Sequence, residues 1–218
     1  MTRAPTLPTH APDTAPGPGG TPLTRWLLDA LAPGPADRVV ELGAGLGTTA
    51  RLTLARRPAA YTGVDRDPAA VAALSTLTTA GRAGVRAVRS DVTATGQPSG
   101  WATVVYGEGA LTPRPERARH QIVREAHRLL DPATGRYGIH EPCLLPDGLD
   151  AALAAGVATG LGARLLTPAG WAALLAAEGF TVTARHTAPL RPRVRTRAVL
   201  RRHRARLGAV ALVAVPAR

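Results

Sequence analysis

The chain has 218 residues, enough for one compact domain with a short tail, and carries a formal net charge of +12 with 45% apolar but only 3% aromatic residues. Its core must therefore be built from Ala, Val and Leu. No apolar run reaches the roughly 20 residues of a membrane span, and the single cysteine, Cys143, excludes an internal disulfide and is compatible with a reducing, cytoplasmic setting.

Met1 to Gly20 is rich in Pro, Thr and Ala and has no apolar stretch of the secretory kind, so it reads as a flexible lead-in to a domain over residues 21–218. Pro22 to Leu31 carries Leu23, Trp26, Leu27, Ala30 and Leu31 at helical spacing, a helix expected to pack on a sheet edge or to cap a pocket. From Arg38 onward, strands and helices alternate. Arg38–Gly43 reads as a strand, Gly45–Arg56 as a helix and Tyr61–Asp65 as a second strand. Pro68–Ala80 follows as a helix capped by Asp67, with Pro68 in its first turn. Val85–Asp91 is a third strand. A polar link, Thr93–Gly100, stands where a helix would be expected, and Ala102–Gly107 is a fourth strand. Arg114–Leu130 shows the clearest helical stripe, formed by Ile122, Val123, Ala126, Leu129 and Leu130. Arg136–Leu145 is a fifth strand. Leu149–Thr159 and Pro168–Glu178 read as helices, Phe180–Thr187 as a strand, Val194–Leu207 as an Arg-rich helix and Gly208–Val215 as a buried last strand. This order predicts an α/β fold, a Rossmann-like seven-stranded sheet, mostly parallel, with an antiparallel last strand and helices on both faces.

The charge does not by itself point to nucleic acid. Every Lys/Arg-type residue is Arg, Asn is missing and there are two Ile, a pattern of GC-rich coding bias. Eight arginines (191, 193, 195, 197, 201, 202, 204 and 206) crowd into one stretch and leave +4 for the rest. That stretch has no aromatic side chain to stack on a base.

The sharpest motif is Val39 to Ala50, VVELGAGLGTTA. A strand ends at Glu41, and Gly43, Gly45 and Gly47 alternate before a helix. Glycines allow a sharp turn and a close ligand approach, and the helix behind them presents unpaired N–H groups. A dinucleotide fingerprint would place the third glycine one residue later, which favours a ligand without a pyrophosphate. Asp65 ends the next strand, 22 residues past Gly43, where an acid can accept hydrogen bonds from ribose hydroxyls. Asp91, with Val92 beside it, ends the third strand and can accept from an exocyclic amine; an ordinary turn residue is the rival reading. The fourth strand ends in Tyr106-Gly107-Glu108.

Glu41-Leu42-Gly43-Ala44-Gly45-Leu46-Gly47, then Asp65, then Asp91-Val92, resembles the successive motifs of class I S-adenosylmethionine-dependent methyltransferases. The resemblance covers about residues 19 to 145. VVYGEGALT, GRYGIHEPCLLPD and HRARLGAVALVA resemble the small-molecule branch that includes ubiquinone/menaquinone-biosynthesis enzymes. It implies S-adenosylmethionine as cofactor, with Glu41, Gly43, Ala44, Gly45 and Gly47 around the methionine moiety, Asp65 at the ribose, Asp91 with Val92 beside it at the adenine, and Arg66, Tyr106 and Gly107 as further cofactor-binding residues. Pro18-Gly19-Gly20 before Thr24-Arg25 resembles an N-terminal element that closes over the cofactor.

Methyl transfer is an in-line displacement that gains most from alignment and needs a base only when the acceptor must lose a proton. The candidate catalytic residues are Glu108, His140 and Glu141, each with a rival reading as a structural or solvated residue. Tyr106 stacks near the cofactor or belongs to the core. No Cys/His spacing suits zinc, so no metal is expected. The acceptor is expected to be a small molecule, with neither nucleic acid nor membrane as partner and a homodimer left open. The alternatives are an RNA methyltransferase docking through the Arg-rich stretch and a non-catalytic cofactor-binding scaffold.

Overall fold

The computed structural model describes residues 17–78, 84–145, 163–190 and 204–217. They form a seven-stranded sheet: β1 Arg38–Leu42, β2 Ala60–Asp65, β3 Val85–Arg89, β4 Val104–Glu108, β5 Arg136–Leu144, β6 Phe180–Pro189 and β7 Leu207–Pro216. The spatial order is β3-β2-β1-β4-β5-β7-β6. Strands β1 to β5 pair in parallel, whereas β7 runs antiparallel to both β5 and β6. The chain steps outward from β1 to β3, then returns to lay β4 on the other flank of β1. The point of reversal lies between the carboxyl ends of β1 and β4, where open sheets of this kind bind ligands.

Among the described residues, five α-helices cover the sheet: α1 Gly20–Leu31, α2 Thr48–Leu54, α3 Pro68–Thr78, α4 Glu116–Leu129 and α5 Pro168–Ala177. Alternation along each strand sends successive side chains to opposite faces. Val40, Leu42, Val105 and Ile139 meet Ile122, Val123, Ala126 and Leu129 of α4 and Trp171, Leu174 and Leu175 of α5. Val39, Tyr61, Val104, Tyr106, Ala209 and Ala211 meet Leu23, Leu27, Leu28 and Leu31 of α1, Ala50 of α2 and Leu74 of α3. Helix α4 is tied to α5 by Glu178, which His120 Nδ1 reaches at 2.6 Å and Arg124 Nε at 2.7 Å. His127 packs edge-on against Phe180, with ring centroids 5.1 Å apart.

Several expected boundaries move, each for a local reason. Helix α2 starts at Thr48, because Gly43, Gly45 and Gly47 all have positive φ (73°, 52° and 80°) and cannot lie in a right-handed helix. Strand β3 stops at Arg89, because Asp91 is drawn into a turn with Thr93. The polar link after it is fixed by Glu125 of α4, which accepts from Thr95 N at 2.8 Å and Thr95 Oγ1 at 2.6 Å. Helix α1 does not sit at an edge alone: it spans β5, β7 and β6, with Trp26 stacked on His186. The helix expected over 149–159 lies outside the described residues, as does most of the one expected over 194–207. Of the latter, Arg204–Arg206 is a single 3-10 turn and Leu207 already belongs to β7. Gly17 to Gly20, placed in the flexible lead-in by sequence, are part of the packed structure.

Candidate functional site

The glycine turn follows β1 and sits at the reversal of strand order. Gly43 N and Ala44 N both donate to Val64 O of β2, at 2.8 and 3.2 Å, which ties the turn to the neighbouring strand. Asp65, 6% exposed at the end of β2, accepts from Gly45 N at 2.9 Å through Oδ2 and from Asp67 N at 2.9 Å through Oδ1. The acid thus fixes the turn as well as standing beside it. A Cβ added at Gly45 would meet no atom within 4 Å, so the turn opens onto free space. Leu46 at its tip is the one large hydrophobic side chain exposed among the described residues. Ala44 is buried, Gly43 and Gly45 are half-buried, and Arg66 is exposed just past Asp65.

Glu41 points from β1 to the face that carries α1 to α3. It is 3% exposed, and both the Tyr61 hydroxyl and the Tyr106 hydroxyl (2.8 Å) donate to its Oε2. Burial pushes its carboxyl up to about 8, with Glu108 and Asp65 adding repulsion and the two tyrosines pulling the other way. Among the described residues, neither Glu41 nor Asp65 forms an ion pair, and no donor reaches Glu41 Oε1. Tyr106 is wholly buried, its ring in the core beneath α2 and its hydroxyl 2.7 Å from Thr53 Oγ1. The structure therefore places it under the site, behind Glu41. Gly107 follows it, also buried, where a Cβ would come within 2.9 Å of Leu42 O.

Asp91 stands apart on an exposed turn. Its Oδ1 accepts from Thr93 N at 2.9 Å and Thr93 Oγ1 at 2.8 Å, and Arg114 lies 3.9 Å from Oδ2. The Thr93 amide, more than the arginine, holds this carboxyl below its ordinary value. Val92 beside it is buried in the core under α4.

The three candidate catalytic residues divide into two sets because β5 alternates. Register pairs Glu108 of β4 with His140 of β5, on the α1 face. His140 is fully buried and Nε2 accepts the Gly19 N–H at 2.7 Å, so Nδ1 carries the proton and donates to Glu108 Oε1 at 2.6 Å. Glu108 also accepts from Thr24 Oγ1 (2.6 Å), Thr49 Oγ1 (2.5 Å) and, more weakly, Gly17 N (3.4 Å). Burial alone would raise its carboxyl, but the hydrogen bonds from His140 and the two threonines outweigh that and leave it below the ordinary range. Added Cβ atoms at Gly17 and Gly19 would strike the His140 ring at 2.6 and 3.0 Å, so the strap lies on the pair because these two positions carry no side chain. Glu141 faces the other way. It accepts from Leu111 N (2.8 Å), Thr112 N (3.1 Å) and Thr112 Oγ1 (2.7 Å), and so pins the loop between β4 and α4; burial raises its carboxyl.

Sequence reasoning missed Arg119. It looks like a solvated helix residue, yet it is buried, donates to the Leu111, Thr112, Arg114 and Arg164 carbonyls and lies 5.3 Å over the Trp171 ring. Only its place on the apolar side of α4, three residues before Ile122, could have signalled this. Among the described residues no cluster of His, Cys, Asp and Glu suits a metal ion, and no helix is long and apolar enough to cross a membrane.

Residues 39–133 match a family model described as a methyltransferase domain. No curated protein matches the chain. Solved structures share the fold at low identity. Geranyl diphosphate C-methyltransferase from Streptomyces coelicolor A3(2), in complex with Mg2+, geranyl diphosphate and S-adenosyl-L-homocysteine, is 16% identical with a TM-score of 0.70, covering 88% of this chain and 76% of that one. Burkholderia thailandensis 1,6-didemethyltoxoflavin-N1-methyltransferase, with 1,6-didemethyltoxoflavin and S-adenosylhomocysteine bound, is 21% identical with a TM-score of 0.65 over 90% and 77%. The [4+2]-cyclase SpnF is 18% identical with a TM-score of 0.72 over 90% and 82%.

Proposed function

We infer, from the match of residues 39–133 to a methyltransferase-domain model and from the shared fold, that the chain uses S-adenosylmethionine to transfer a methyl group to a small-molecule acceptor. The observation that carries the reading is the pair Glu41 and Asp65. Two acidic side chains with no ion-pair partner among the described residues flank three glycines of positive φ at the point where strand order reverses. Burial pushes the Glu41 carboxyl up to about 8, and a ligand cation beside it, such as a sulfonium amino acid linked to a nucleoside would bring, favours release of its proton.

Glu41 would meet the ammonium of the methionine moiety, the backbone from Gly43 to Gly47 would take its carboxylate end, and Asp65 would accept from the ribose hydroxyls. Arg66, Asp91 and Val92 would border the nucleoside. When bound, the cofactor supplies an electrophilic methyl group on sulfur. The chain's own part is to hold an acceptor nucleophile in line with it and to keep water out. Glu108 and His140, at the carboxyl ends of β4 and β5, would stand on the acceptor side beneath the Gly17–Gly19 strap. With every polar atom of the pair engaged, we read them as groups that hold the strap down and shape the pocket. Either one serves as a base only after the strap lifts. Glu141 would act at a distance, by fixing the loop after β4. The finer likeness to quinone-biosynthesis enzymes rests on sequence segments alone, and two of the fold neighbours named above act on small molecules of other classes.

Calorimetric titration with S-adenosylmethionine and S-adenosylhomocysteine, with NADH as control, tests this directly. Micromolar binding of the first two, weakened at least about tenfold by Asp65→Ala, is expected. A folded protein that binds neither ligand sinks the reading. Binding without methyl transfer to any of a panel of O-, N- and C-nucleophiles would favour the scaffold alternative.

A further inference from the structure

Two of the chain's three tyrosines end on one oxygen atom of one buried carboxylate. Tyr61 comes from β2 and Tyr106 from β4, the strands on either side of Glu41. Space is made for the first by Gly63, the residue in register with Glu41, where a Cβ would come within 3.0 Å of the Tyr61 hydroxyl. Thr53 of α2 completes the second. Tyr106 spends its single proton on Glu41, so Thr53 donates to the Tyr106 oxygen.

Packing does not account for this arrangement. Phenylalanine at either position would fill the same core without burying a hydroxyl, and buried polar groups are favourable only when partnered. Nor does local charge account for it, since the ionisable groups facing Glu41 besides the tyrosines are acids: Asp65 at the end of β2 and Glu108 at the end of β4. The hydroxyls are the groups that favour the charged carboxylate, and both use Oε2, leaving Oε1 without a donor among the described residues.

We propose that Tyr61 and Tyr106 are positioning residues for the cofactor acid: converging on Oε2, they fix the Glu41 carboxylate, favour its anionic form and leave Oε1 for a ligand ammonium. This rests on the reading of Glu41 as the residue that meets the ammonium of S-adenosylmethionine. The tyrosines touch no ligand and act through Glu41 alone.

The test has two readouts on the purified full chain. In the first, infrared spectra across pH follow the protonated-carboxyl band that disappears in Glu41→Gln. Tyr61→Phe and Tyr106→Phe should each move its midpoint to higher pH, because each removes a donor to the anion. In the second, calorimetry with S-adenosylhomocysteine at pH 7 completes a double-mutant cycle. Each Tyr→Phe change should weaken binding by about three- to tenfold in the parent chain and have no further effect in the Glu41→Gln background. An unmoved midpoint, or the same loss in both backgrounds, overturns the proposal and makes the tyrosines structural. Unchanged affinity in Glu41→Gln itself overturns the assignment of Glu41 to the ammonium and the positioning role with it. A lost affinity with an unmoved midpoint overturns the tyrosine proposal alone.

Discussion

The two ends of the site are built on opposite plans. At β1 and β2 the glycine turn opens onto free space, and Glu41 there keeps Oε1 without a donor among the described residues. At β4 and β5 the Glu108–His140 pair is saturated, covered by a strap and tied to α1 and α2 through Thr24 and Thr49. On the proposed reading, the open end is pre-formed for the cofactor. The closed end can admit a partner only by exchanging protein contacts for it. Cofactor binding should therefore tolerate no change of backbone at the first end, while changes at the second should show up as altered stability and access.

The largest expected effect is at the open end. Gly45→Val places a branched side chain at φ 52° and in the free space over the turn. It should lower S-adenosylhomocysteine affinity by about a hundredfold or more and cost about 1–3 kcal/mol of stability from backbone strain. Unimpaired binding in calorimetry would show that the open turn is not the cofactor site. At the closed end, His140→Ala leaves Gly19 N–H and Glu108 without their buried partner. It should cost about 2–3 kcal/mol in urea unfolding and speed proteolytic cleavage before residue 20. Unchanged protease resistance would mean that the strap is held by α1 alone.

A smaller and pH-dependent effect separates the ends again. Glu41 has its folded value near 8, above the unfolded value near 4.5, so the folded state binds the extra proton between them. Stability from this group therefore falls as pH rises from about 5 to 8. Glu41→Gln should flatten that slope and raise stability at pH 8 by about 1–2 kcal/mol, even as cofactor affinity is lost. Glu108, held below its ordinary value, has the opposite sign, and its contribution disappears only as pH drops through the acid range. Thermal melts of the two proteins at pH 5 and pH 8 decide the matter: parallel curves would place the Glu41 carboxyl in an ordinary environment.

The open end was also the more legible in sequence. Alternating glycines followed by an acid at each strand end are local patterns, set by backbone geometry within a few residues. Helix α4 was legible for the same reason, its stripe being a local period. The closed end was not. His140 and Glu108 are 32 residues apart, and only the parallel register of β4 and β5 brings them together. Strand alternation could have warned that His140 and Glu141 cannot share a pocket. Tyr106 illustrates the same gap: its position left a stacking ring and a core ring both open, because the face it lies on depends on β4 pairing with β1. Arg119 escaped notice because its partners are carbonyls, which carry no side-chain signature.

The place of β7 has a consequence for how the molecule is made. This strand, buried along its first eight residues, is the bridge between β5 and β6, and it forms much of the floor under α1. During synthesis, β1 to β5 emerge well before residues 207–216. Until that last segment arrives, β5 presents an unpaired edge and α1 has no complete surface to rest on. Helix α1, and the strap that leads into it, must therefore wait for β7. A nascent chain stalled before residue 207 should have its glycine turn but not its cover, which makes the closed end of the site a late product of translation.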